Sequence, residues 1–234
     1  MSVSDNARFR KALYLATVVL TAIAAVLIAA IPPDEKLGGM VRLVMTHGGS
    51  TWVNMATFTL AGLHGIAFVA GKARARYWGE AFRWISLPLW AINTCLGLLS
   101  MKLIWGGILW DEPRLWMTFG LLAASLAVVA IQLVFDLPKL TALLDALLAG
   151  SLWALVLLLP NLFHPDSPVF SSGNWAFIGP FLGIVAALLL IAIIVATLIA
   201  RRHRGDDADG AGVREPAPQP VPELAGAARV QIEE

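Results

Sequence analysis

The sequence predicts an all-α, polytopic membrane protein with six transmembrane helices and both termini cytoplasmic. Three observations predict it. Six hydrophobic runs, at about 11–32, 51–71, 84–104, 115–136, 139–160 and 176–200, each approach the ~20 residues needed to cross ~30 Å of hydrocarbon. The mean hydropathy is +0.74 and only 14% of residues are charged, which lies outside the range of a soluble domain. Lys and Arg are distributed unevenly between alternate connections. Arg8, Arg10, Lys11, Lys72, Arg74, Arg76, Arg83, Lys139, Arg201, Arg202 and Arg204 fall on one side, and only Lys36, Arg42, Lys102 and Arg114 on the other. The richer side is expected to be cytoplasmic.

The runs lack the period-2 alternation of barrel strands, and lipid leaves no open backbone satisfied, so each is expected to be helical. The first ends in Ile31-Pro32-Pro33-Asp34, without a small-residue cleavage site, and reads as a retained span. Residues 33–50 read as an outer connection whose stretch Leu37–Met45 lies in the interface. Ser50 or Thr51 would then cap the second helix. That span carries His64 about fourteen residues in, where an intramembrane imidazole is a functional candidate or an interhelical hydrogen bonder. In the third span Asn93, Thr94 and Ser100 read as interhelical hydrogen bonders, and Lys102 as a snorkelling cation.

The connection Trp105–Trp116 joins spans three and four. Asp145, near the start of span five, reads as a lone acid that caps, pairs or stays protonated. Residues 161–175 read as an irregular loop rich in Pro, Ser, Gly and Asn. After span six, Arg201-Arg202-His203-Arg204 is an interfacial stop with a solvated His203. The composition from Gly205 onward predicts a disordered cytoplasmic tail. The division is therefore a membrane domain, 1–200, and a tail, 201–234. The location expected is the cytoplasmic (inner) membrane, with the lipid bilayer as the chain's surroundings.

Composition also excludes functions. A net charge of +1 with no basic stripe argues against nucleic acid. The single cysteine, Cys95, rules out an internal disulfide, a CxxC pair and a CxxCH haem attachment. No internal repeat is evident, which weakens a transporter built on inverted repeats.

The candidate chemistry gathers on the outer side. Only 4 histidines occur in the chain. Two of them, His47 and His164, open or close hydrophobic spans there, flanking a segment that holds Trp105, Trp110 and Trp116. Neutral imidazoles ligate haem iron, and a bis-His pair leaves no open position, which favours holding or electron transfer. Aromatic rings would stack a porphyrin, and Arg114 or Arg42 would pair a propionate. The plainer reading makes the histidines loop residues and the tryptophans interface anchors, as for Trp78, Trp84 and Trp175.

In order along the chain, three pieces resemble the cytochrome c assembly family, in its six-span CcmC-like branch. Arg42-Leu-Val-Met-Thr-His47-Gly-Gly-Ser-Thr-Trp52 is similar to a family stretch ending His-Val-Pro-Ser-Ala-Trp, with Gly48-Gly49 in place of Val-Pro. Trp105–Trp116 stands where the family has its tryptophan-rich WWD loop, with at least two of that loop's tryptophans replaced. His164 stands between spans five and six, like the family's second outer histidine. The resemblance covers about residues 10–200 and implies haem b held at the outer face by His47 and His164. Trp52 and the tryptophan loop would surround it. It further implies transfer to a periplasmic haem chaperone or apocytochrome, alongside ABC-type assembly subunits, which is presentation of haem rather than conventional catalysis. Two other classes stay open: a haem- or quinol-linked electron-transfer anchor centred on His64, and a small-molecule permease.

Overall fold

The computed structural model describes residues 3–160, 162, 168–171 and 173–212. Its helices are α1 (Val3–Ala30), α2 (Val41–Val69), α3 (Ala75–Ile104), α4 (Pro113–Phe135), α5 (Pro138–Leu158), α6 (Pro168–Ser171) and α7 (Trp175–Gly212). All except α6 contain a stretch long and apolar enough to cross a membrane. Among the described residues there is no strand, only an isolated bridge between Asp34 and Gly38. The protein is an all-α bundle of six membrane-spanning helices.

The central element is α2, which packs on α3, α5 and α7, while α1 lies mainly on α7 and α4 on α5. Its sequence explains this position. Gly62 and Gly65 let α2 approach α5 so closely that a Cβ at Gly62 would lie 2.7 Å from Ala149 Cβ. A Cβ at Gly65 would overlap the Ala142 carbonyl oxygen. Small residues at one helical face allow this contact where lipid supplies no hydrophobic drive for association. Away from the interfaces, Leu133, Val134, Leu147 and Leu157 are exposed, as expected of side chains that meet acyl chains.

Alternate connections gather at opposite ends of the bundle. At the tryptophan end, the start of α2 meets the end of α3 and the start of α7, and Arg114 of α4 reaches Val156 of α5. At the arginine end, the Arg201 guanidinium lies 4.0 Å above the Phe9 ring, and α3 is bound to both α4 and α5.

Several helix limits differ from the hydrophobic runs. The second helix starts at Val41, with Met40 as N-cap and no side-chain cap, so Ser50 and Thr51 sit inside it and cap nothing. The stretch 41–50 is held helical by packing: Gly48 and Gly49 lie against Phe181 and Ile184 of α7. The expected irregular loop 161–175 contains the short helix α6. The expected tail is helical at its start, since α7 continues past Arg201 to Gly212. The remainder of that tail, 213–234, lies outside the described residues.

In the connection from α1 to α2, the N–H groups of Leu37 and Lys36 donate to Asp34 Oδ1, each at 2.9 Å. These two bonds hold the Asp34 carboxyl below its ordinary range, that from Leu37 the more strongly.

Candidate functional site

At the tryptophan end, His47 projects from the second turn of α2 rather than from a loop, because the helix begins at Val41. Its ring is half-buried and faces Gly97 of α3. A Cβ added at Gly97 would lie 3.0 Å from His47 Cε1 and 3.4 Å from Nε2. The turn carrying His47 is closed by two hydroxyls. Ser50 Oγ and Thr51 Oγ1 each donate to the His47 carbonyl at 2.9 Å. One turn further along α2, Trp52 stacks on Phe170 of α6, with centroids 5.6 Å apart and planes at 26°. It meets Phe181 of α7 edge-on at the same centroid distance. The α2 start, α6 and α7 therefore form one aromatic corner, with Trp52 itself 48% exposed.

The tryptophan connection closes the other side of this end. Trp105 caps the C-terminus of α3, and Gly106 turns the chain in the left-handed region, φ 77°, which only glycine adopts without strain. Lys102 Nζ donates to the Gly106 carbonyl at 3.3 Å, so this cation turns to the connection at the helix end. Trp110 and Trp116 pack with centroids 6.0 Å apart, and Trp116 Nε1 donates to the Trp110 carbonyl at 2.8 Å. Both rings remain more than half exposed, which leaves a tilted aromatic face on the surface.

Glu112 organises this segment. It is fully buried, precedes Pro113 at the first position of α4, and accepts from Arg114 N at 3.2 Å as the helix N-cap. Replacing it with Ala is expected to lower stability by about 1 kcal/mol, as for loss of an N-cap. Thermal unfolding in detergent would measure this. Asp111, by contrast, is exposed.

Arg114 Nη2 donates to the Val156 carbonyl of α5 at 3.3 Å. Its Nε is buried and meets no acceptor among the described residues, which leaves a guanidinium edge in need of an oxygen. Arg42 Nε donates to the Ile31 carbonyl at 3.0 Å and so closes the C-terminus of α1. His164 lies outside the described residues. Of the residues the sequence singled out, the fold thus brings His47, Trp52, Trp105, Trp110, Trp116, Arg114 and Arg42 to one end of the bundle.

His64 is elsewhere. Its Nδ1 bonds the Leu60 carbonyl of its own helix at 2.8 Å, and its ring packs on Trp78 and Phe82 of α3. Trp78, read from the sequence as an anchor, is accordingly a packing residue. In α3, Asn93 makes the expected interhelical bonds, whereas Thr94 and Ser100 bond carbonyls of their own helix, Trp90 and Leu96. Each satisfies its hydroxyl on the i−4 carbonyl, the local bond open to Ser and Thr within a helix.

At the arginine end lies a network that no local pattern in the sequence reveals. Asp145 takes two bonds from Arg83 Nε, at 2.8 and 3.0 Å, and one from Nη2 at 2.6 Å. Arg83 Nη1 donates to Gln132 Oε1. Arg83 and Asp145 are both buried. Of the roles open to Asp145, to cap, to pair or to stay protonated, the structure shows pairing, and its partner is Arg83 of the basic side. Nearby, Glu80 accepts from Arg76 Nε at 2.8 Å and approaches His203 Nδ1 at 3.4 Å. His203, partly exposed, thus lies beside Glu80 of α3. Planar guanidinium geometry matched to a carboxylate is the arrangement that makes such a pair tolerable inside a bundle.

Among the described residues, no cluster of three or more His, Cys, Asp or Glu side chains is placed to hold a metal ion. Compared with known proteins, the chain matches no family model and no curated protein.

Proposed function

We propose that the chain holds haem b at the tryptophan end, between His47 and His164, and presents it to an acceptor for cytochrome c assembly. This end would face the outer side of the cytoplasmic membrane, the arrangement favoured by the Lys and Arg distribution. The observation that carries the reading is Arg114. Its buried Nε has no acceptor among the described residues, at the same end of the bundle as the His47 imidazole and the Trp110–Trp116 face. A porphyrin propionate is an acceptor of the right charge and geometry for such a guanidinium edge. The aromatic corner of Trp52, Phe170 and Phe181 and the Trp110–Trp116 face supply flat apolar surface for a macrocycle.

Haem is cargo in this reading, and its iron would take the two imidazoles as axial ligands with no position left open. The chain's own work is to hold and orient. His47 offers its ring from a turn whose backbone carbonyl is bonded by Ser50 and Thr51, Arg114 would fix one edge, and the tryptophans would exclude water from the faces. The acceptor would be a periplasmic haem chaperone or apocytochrome, with ABC-type subunits as further partners of the membrane domain.

Arg114 gives the test. Arg114→Ala is expected to weaken haem retention by about 1–3 kcal/mol, the range for a charge-assisted hydrogen bond. The low-spin spectrum of the remaining holoprotein should be unchanged, because the axial ligands stay. Trp110→Ala is expected to lower occupancy in the same way through lost stacking area. The haem-to-protein ratio after size-exclusion chromatography measures both. If these substitutions lower only protein yield, with haem per folded molecule constant, the segment is an anchor and the reading fails.

A further inference from the structure

We infer that Asn93 and Gly97 of α3 are positioning residues that set the orientation of the His47 imidazole. The inference rests on the haem-holding reading for its purpose, though not for its geometry. His47 has no loop freedom, since it belongs to a helix. What remains adjustable is the rotation of its turn against α3 and the angle of its ring.

Asn93 controls the first. It is buried at 3% exposure and faces the two residues that close the His47 turn. Asn93 Nδ2 donates to Thr51 Oγ1 at 3.0 Å, and Asn93 Oδ1 lies within hydrogen-bond reach of the Ser50 hydroxyl. The same two hydroxyls bond the His47 carbonyl. One amide on α3 is therefore linked through the Thr51 hydroxyl to the backbone of the ligand residue, and it shares the single Ser50 proton with the same carbonyl. Asn54, a turn further on and fully buried, donates Nδ2 to the Ser50 carbonyl at 3.0 Å and extends the same seam.

Gly97 controls the second. It follows Asn93 by one turn, so both face α2 along one side of α3. The imidazole lies against its bare backbone, with Cε1, Nε2 and Nδ1 all within 3.6 Å of where a Cβ would be. A side chain at this position would push directly on the ring, not on its stem. Outer partners of a ligating histidine fix ring orientation, and their loss costs about 10–100-fold in affinity.

The test uses full-length protein in detergent micelles with histidine labelled at ¹³Cε1, in which the His47 signal is identified by its loss in His47→Ala. Gly97→Ala is expected to shift that signal, and Asn93→Ala to shift or split it. Gly150→Ala, where nothing lies within 4 Å of the added Cβ, should leave it in place. Haemin titration of the same samples should show binding weakened about 10-fold or more in Gly97→Ala, with part of the iron converted to high spin. If the His47 signal is unmoved in both folded variants, the positioning role is overturned even though wild type binds haem. If wild type takes up no haem, the haem reading falls, and the His47 signal alone still decides whether Asn93 and Gly97 orient the ring. A change confined to thermal stability would make the seam merely structural and would also overturn the inference.

Discussion

Asp145→Ala is expected to be the most damaging single substitution in the bundle, with a loss of about 3–5 kcal/mol. Removing the carboxylate deletes three hydrogen bonds to Arg83 and leaves a buried guanidinium with Gln132 as its acceptor. The size of the effect comes from the stranded charge rather than from the net worth of the pair. Replacing both partners by apolar residues, as in Arg83→Met with Asp145→Leu, should therefore recover most of the loss. Equilibrium unfolding of the purified protein in mixed micelles would measure the cycle. A single-mutant loss under about 1 kcal/mol, the level of a solvated ion pair, would show that the pair is wet and dispensable.

The second large effect is expected at Gly65. A methyl there overlaps the Ala142 backbone carbonyl, and backbone cannot swing aside as a flexible side chain would. Gly65→Ala should cost about 1–3 kcal/mol as overpacking, and Gly65→Leu should prevent α2 from seating on α5. Because α2 carries His47 and packs on three other helices, the damage should reach the tryptophan end as well. Size-exclusion behaviour and thermal unfolding report it, with Gly150→Ala as a lipid-facing control that should change neither. A Gly65→Leu protein that is monodisperse and as stable as wild type would mean that α2 and α5 are not in backbone contact at Gly65 and Ala142.

What the sequence reveals and what it hides divide along physical lines. The six spans were legible because hydropathy over ~20 residues requires no knowledge of neighbours. Their ends were not, because tertiary packing sets them. The stretch 41–50, with its Gly48-Gly49 pair, reads as a loop until Phe181 and Ile184 are seen against it. Basic Arg201–Arg204 reads as a stop, yet the helix continues, with His203 beside Glu80 and Arg201 over Phe9. The gathering of His47, the tryptophans and Arg114 at one end followed from alternating spans alone. Which way each side chain turns did not. Arg114 faces Val156 and Arg42 faces Ile31 because helix C-termini present carbonyls that a nearby guanidinium satisfies.

Long-range partnerships were the least legible. Arg83 and Asp145 are distant in sequence, and each alone looks like an ordinary interfacial charge. Gly97 carried no signal either: one glycine in an apolar helix is common, and its meaning depends on the imidazole opposite. Asn93 was more visible, since an amide within a span must find a partner.

The central claim is that this bundle holds haem through His47 and His164, and an absorption spectrum of the purified full-length protein tests it most directly. After reconstitution with haemin, the account predicts a Soret band and a six-coordinate low-spin spectrum with b-type pyridine haemochrome. His47→Ala and His164→Ala should each abolish the low-spin form while leaving the helical content intact. Protein that stays haem-free, or a spectrum indifferent to both substitutions, would contradict it.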